Sequence, residues 1–185
     1  MKELSLNILD IVQNSVKAEA SRIIISIVED NEKLNFTVSD NGVGMDKDFL
    51  AKVTNPFTTT RTTRPVGLGI PLLKMAAEQT GGSFEIKSRY FMDFPNNHGT
   101  EISATFYKQH IDFVPLGDII ETVITLIQGN PDLDFVFTHK IDDVTISLNT
   151  EELRNVLGDV PLNNIEVILW IKEYLGDQYT NCNLT

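Results

Sequence analysis

Between Asn14 and Thr100 four short motifs stand in a fixed order, and that order constrains the chain more than any other feature. Asn14 lies within ILDIVQNSVKA, Asp40-Asn-Gly-Val-Gly44 ends an alternating run, Gly67-Leu-Gly69 opens an apolar run, and Gly99-Thr100 comes last. Each is common alone. An amide-bearing helix, an acidic glycine turn, a glycine-rich helix start and a late Gly-Thr point together to a nucleotide pocket.

The stretches between the motifs supply the frame. Leu4, Ile8, Ile11, Val12 and Val16 recur at helical spacing over residues 3–18. A β-branched run at 22–28 and the alternation of Leu34, Phe36 and Val38 predict two strands, joined by turn chemistry at Asp30 and Asn31. Asp46 can cap a short helix reaching 53, and residues 55–65, rich in Thr, Arg and Pro, read as a loop. A helix over 70–79 closed by Gly81-Gly82 precedes strands at 83–88 and 101–107. Pro115 and Gly117 then punctuate the chain, and the rhythm changes. A helix at 118–128, a hairpin of 133–139 and 144–148 around Asp142-Asp143, and helices at 151–157 and 164–176 are expected, with Asn163 and Glu166 as a capping box. The last of these is apolar on nearly every side, so it is buried or meets a partner, and core packing is its expected role. The expected division is 1–110 for one domain and 111–185 for a small α+β appendage.

On the first helix, Asn7, Asp10, Gln13, Asn14 and Lys17 form one polar stripe. A merely solvated face would show the same spacing. The composition says more: Asn14 offers an uncharged oxygen to a hard divalent cation, Lys17 a cation one turn on, and Asp10 a carboxylate one turn back. Asp40 could be an ordinary turn residue, or it could accept the exocyclic amine of adenine while Gly42 and Gly44 let backbone approach the base. Gly67, Leu68 and Gly69 open a helix whose free N–H groups suit phosphate, although tight helix packing also favours such glycines. Thr59, Thr60 and Arg61 sit just upstream in a Thr- and Arg-rich stretch placed to close over a polyphosphate.

A formal charge of -11 and a pI near 4.6 argue against a binder of nucleic acid backbone or of an anionic membrane. Cys182 is the only cysteine, the N-terminal stretch lacks a signal-peptide pattern, and no run is long enough to span a bilayer, so a cytoplasmic location is expected. His98, His110 and His139 share no metal-ligand spacing and are expected at the surface.

Over residues 3 to 107 the set resembles the ATP-binding domain shared by sensor histidine kinases, anti-sigma serine kinases, gyrase, MutL mismatch-repair proteins and HSP90 chaperones, the GHKL or Bergerat-fold superfamily. The resemblance implies a two-layer α/β sandwich that binds ATP with Mg²⁺. Asn14 matches the magnesium ligand, Lys17 the phosphate-contacting lysine, Asp40 the adenine-binding aspartate, and Gly42 and Gly44 the first glycine box. Phe57-Thr-Thr-Thr-Arg61 resembles a kinase lid, Gly67 and Gly69 match the second glycine box, and Thr100 matches the late threonine near adenine. Two departures bear on mechanism. The ATPase and anti-sigma branches usually carry Glu where this chain has Asp10, about one carbon–carbon bond (~1.5 Å) shorter in reach, so slow hydrolysis is expected. Sensor kinases place a phosphoacceptor His on a helix ahead of the ATP domain, whereas the N-box helix here starts almost at Met1, so autophosphorylation in cis is not expected. Asn14-Ser-Val-Lys-Ala-Glu-Ala echoes the MutL N box, yet the long MutL lid and transducer domain are not recognisable. The resemblance therefore implies a regulatory kinase acting on a separate protein partner, or else a nucleotide-sensing module, or a slow ATPase that dimerises with ATP.

Overall fold

The computed structural model describes residues 3–54 and 69–182. In chain order these form α1 (Leu4–Lys17), β1 (Arg22–Glu29), β2 (Lys33–Asp40), α2 (Lys47–Val53), α3 (Gly69–Gln79), β3 (Ser83–Arg89), β4 (Gly99–Tyr107), α4 (Ile119–Gly129), β5 (Asp134–Ile141), β6 (Val144–Asn149), α5 (Thr150–Leu157) and α6 (Ile165–Cys182). One six-stranded sheet runs in the order β3-β4-β2-β1-β5-β6. Its pairs are antiparallel except β1 with β5, which is parallel.

Strand alternation sorts the side chains into two faces. Ile23, Ile25 and Ile27, Leu34, Phe36 and Val38, Ile102, Ala104 and Phe106, and Phe135 and Phe137 are buried beneath the helices. The opposite face is polar and laced by side-chain hydrogen bonds, among them Asn35 Nδ2 donating to Thr105 Oγ1 at 2.9 Å and Thr37 Oγ1 donating to Ser103 Oγ at 3.2 Å. A sheet covered on one side and wet on the other is the two-layer sandwich expected from the sequence.

Sheet and core run straight through the expected boundary at 110–117. β5 lies along β1 with Ile25 opposite Phe137, covering what would otherwise be an open sheet edge. The punctuated segment also closes the start of α1. Glu3 offers no side-chain cap there, and the orphan N–H groups of Leu4 and Ser5 donate instead to the Pro115 and Leu116 carbonyls at 3.0 and 2.8 Å.

Three expectations for the last helix change. The cap of α6 is Asn164, whose Oδ1 accepts the Glu166 N–H at 2.8 Å, and not Asn163. α6 also runs past 176 to Cys182, because contacts of Gln178 and Tyr179 with the sheet reward the extra turns. Core packing holds for one face of that helix only: Val167, Ile168, Ile171 and Leu175 are buried, while Ile165, Leu169, Trp170 and Tyr174 are exposed.

His139 is not a surface residue. Strand period two puts it on the inner face with Phe135 and Phe137, and it is 1% exposed. Its Nδ1 lies 2.7 Å from the Tyr179 hydroxyl, and its Nε2 lies 3.2 Å from Glu29 Oε1, off the line of the ring N–H. Lys108 Nζ reaches Glu29 Oε2 and the Asp30 carbonyl, each at 2.9 Å. His139 and then Lys108 hold the Glu29 carboxyl below its ordinary 4.5, against the opposing effect of burial. Burial, with the Glu29 charge adding to it, pushes the Tyr179 phenol up. The phenol stays protonated, and its hydroxyl can donate to Nδ1 or accept from it.

Candidate nucleotide site

Asp40 ends β2 with its carboxylate held from three sides. Ser15 Oγ, on α1, donates to Oδ2 at 2.6 Å, and the backbone N–H groups of Gly42 and Thr100 donate to Oδ1 at 2.9 and 3.2 Å. A carboxylate oriented by three donors keeps spare acceptor capacity on Oδ2. Thr100 enters through the β2–β4 register, where it lies opposite Asp40. Its hydroxyl shares a 2.8 Å hydrogen bond with Ser88 Oγ, which also accepts the Met45 N–H at 2.8 Å. Asp40, Gly42, Gly44 and Thr100 therefore form one corner of the sheet.

The glycines of this corner answer to the protein's own backbone. A Cβ at Gly42 would stand 2.6 Å from the Ala18 carbonyl oxygen, at the end of α1. Gly44 has φ +69°, and a Cβ there would stand 2.0 Å from the Arg89 carbonyl oxygen, at the end of β3. The turn is thus clamped between a helix end and a strand end. His98 completes the clamp, with Nδ1 2.6 Å from the Gly42 carbonyl; since that oxygen only accepts, Nδ1 carries the proton.

Asp10, Asn14 and Lys17 lie on α1, and the structure brings Asp10 against the start of α3. A Cβ on Gly69 would meet Asp10 Cβ at 3.3 Å and its Oδ2 at 3.7 Å. The helix-start glycine and the candidate base are neighbours. Asp10 and Lys17 are exposed and Asn14 is half-buried. Asn7, from the same stripe, is 4% exposed with an unpartnered Nδ2, so the stripe is wet only from Asp10 onward. Thr59, Thr60, Arg61, Gly67 and Leu68 fall outside the described residues.

Ser15 and Ser88 escaped the sequence reading, and His98, expected at the surface, is half-buried against the Gly42 carbonyl. Ser15 adjoins Asn14 and occupies an inward helical position, a faint signal of a role beside it. Ser88 and His98 meet their partners through strand register and loop packing, which leave no mark in local spacing.

The sequence pattern of the histidine kinase-, DNA gyrase B- and HSP90-like ATPases matches residues 2–110. The chain belongs to that family. It carries the ATP-binding domain of the GHKL group, and the order of the four motifs was a sound guide to it. Over 90 residues it is 27% identical to a protein of Rickettsia bellii (strain RML369-C) described as an NtrY-like sensor histidine kinase, covering 48% of this chain. The match spans 15% of that relative's length. In three dimensions it resembles the Aquifex aeolicus MutL ATPase domain complexed with ADP, with a TM-score of 0.55 and 16% identity, covering 85% of this chain and 69% of that one. At that identity the likeness is one of fold, and it extends past the last sequence motif. No helix among the described residues is long and apolar enough to cross a membrane.

Proposed function

We propose that this GHKL domain binds ATP with Mg²⁺ between α1 and the start of α3 and transfers the γ-phosphoryl group to a separate protein. The observation that carries the reading is the Asp40 carboxylate, oriented by Ser15, Gly42 and Thr100 so that Oδ2 can accept the amine of adenine. Asn14 fits the metal. Its side chain makes no hydrogen bond among the described residues, and a lone neutral oxygen suits a cation that takes its remaining ligands from phosphates and water. When bound, Mg²⁺ neutralises charge on the β- and γ-phosphates.

The chain's own residues do the rest. Lys17 and Arg61 steady the phosphates, backbone at Gly67, Leu68 and Gly69 donates to them, and Thr59 and Thr60 close the site. Asp10, set against Gly69, takes the proton from the acceptor hydroxyl or amine as that atom bonds to the γ-phosphorus. The bond from that phosphorus to the β,γ-bridging oxygen breaks, and ADP leaves with the electron pair. The similarly folded Aquifex aeolicus MutL ATPase domain is complexed with ADP, which supports an adenine nucleotide as the ligand.

γ-Labelled ATP, Mg²⁺ and cell extract test the reading. Label on a protein other than this chain, lost with Asp10→Asn while ATP binding persists, supports transfer. Tight binding with no label anywhere supports the second reading, a nucleotide-sensing module, which the short reach of Asp10 favours.

A further inference from the structure

The far edge of the sheet holds a second concave site, three strands from Asp40. A cleft of about 410 Å³ lies between the edge strand β6, α5 and α6, lined among others by Asn149, Glu152, Val156, Trp170 and Tyr174. The Trp170 and Tyr174 rings stack with centroids 4.9 Å apart and planes 12° from parallel, yet they stay 47% and 39% exposed. Val156, on the facing helix, is 84% exposed.

Charge decides what could cover this surface. Residues 111–185 contain 13 Asp and Glu against three Lys and Arg, while residues 1–110 contain 13 against 12. Nearly all of the chain's net charge therefore sits in the C-terminal part. Two of its three cations are engaged, Arg154 by Asp134 and Lys172 by Glu121. On α6, Glu166 precedes Trp170 by one turn, Glu173 follows it by nearly one, and Asp177 follows Tyr174 likewise. These three carboxylates make no ion pair among the described residues. Glu152 adds a fourth at the cleft wall.

An aromatic pair flanked by unpaired carboxylates attracts a cation twice, through the ring quadrupole and through charge, and it repels nucleic acid and anionic lipid. Strand addition is blocked at the middle of the edge. Gln178 takes both outward groups of Ser147, accepting its N–H at 2.9 Å and donating to its C=O at 3.1 Å. Recognition falls to side chains.

We propose that this cleft docks a segment of a protein partner that presents arginine beside an apolar residue. The guanidinium lies on the Trp170–Tyr174 face among the carboxylates, and the apolar side chain rests against Val156. The proposal goes beyond the nucleotide reading and stands without it, since none of these residues belongs to the site at Asp40.

Trp170 is the chain's only tryptophan, so its fluorescence reports on the cleft directly. The whole, nucleotide-free protein is titrated with a short acetylated peptide of Arg, Leu and Gly, and with versions carrying Gln or Glu in place of Arg. Expected are a saturable change with the Arg peptide alone and weakening of about fivefold for Tyr174→Ala and for Glu173→Gln, each with unaltered melting. Addition of salt weakens the binding further. A flat response to the Arg peptide overturns the proposal, as does an equal response to the Gln version, which would mark a neutral apolar site. A tryptophan change that follows protein concentration without peptide, with a dimer in sedimentation, gives the cleft to a second copy and overturns it too.

Discussion

The two ends of this sheet share a core and differ in charge. Residues 1–110 are almost balanced, and there the proposed ligand is a polyanion; residues 111–185 carry ten excess negative charges, from 13 Asp and Glu against three Lys and Arg. An acidic chain can hold a triphosphate because its acidity is placed elsewhere. At about 4.8 Å per strand, β6 lies roughly 14 Å from β2, beyond the Debye length of about 8 Å at physiological salt. One fold would thus carry two surfaces of opposite preference, the proposed nucleotide site at one end and the proposed cation-seeking cleft of aromatics and carboxylates at the other.

The largest expected effect breaks the nucleotide end alone. Gly44→Ala puts a Cβ 2.0 Å from the Arg89 carbonyl oxygen at φ +69°, and a loss of about 3 kcal/mol or more is expected in chemical denaturation. An unchanged midpoint would mean that the turn is not clamped. Asp40→Asn comes next. It turns an acceptor toward the adenine amine into a competing donor, and Mg–ATP affinity should fall about 100-fold, or roughly 2.7 kcal/mol, by calorimetry. The Trp170 response to the Arg peptide should not move, and a joint loss would show that the two ends are coupled.

Glu29→Gln probes the seam between the halves, where β1 meets β5 and Tyr179 of α6. A loss of about 1–3 kcal/mol is expected near neutral pH, as Lys108 and His139 lose their anionic partner. The sign with pH follows from the lowered Glu29 carboxyl. Its contribution is present above the ordinary value of 4.5 and is lost as pH falls through the lower folded value. The stability gap between wild type and variant should therefore close in acid, and a gap that stays constant on acidification counts against the network. Arg22→Ala is the smallest. The Arg22–Glu151 pair joins the halves at 3.6 Å with both side chains about half exposed, and its removal should shift stability by less than about 0.5 kcal/mol.

Much of the nucleotide end was legible because its signals are local. Asp40 follows an alternating strand, Asp46 caps α2 through the Phe49 N–H at 2.8 Å, and Gly81-Gly82 closes α3 with the Gly82 N–H on the Ala77 carbonyl. The C-terminal elements were legible as elements and not as a surface. Nothing near His139 in sequence names Glu29 or Tyr179, which lie 110 and 40 residues away. The one-residue error between Asn163 and Asn164 has a similar source: consecutive asparagines are equal candidates until backbone geometry selects one.

By itself the sequence determined the helices and strands, the inward faces of α1 and β2, and the order of the glycine and acidic motifs, since periods of 3.6 and 2 and turn chemistry act over a few residues. Tertiary structure decided what only distant pairing can decide. It laid β5 on β1, made Pro115 and Leu116 the cap of α1, set Ser15 and Thr100 on Asp40, buried His139 against Glu29, and left Trp170 and Tyr174 open among carboxylates. Hydrogen bonds and charges act across a few ångströms of space whatever their separation along the chain, so their partners become visible only once the sheet is assembled.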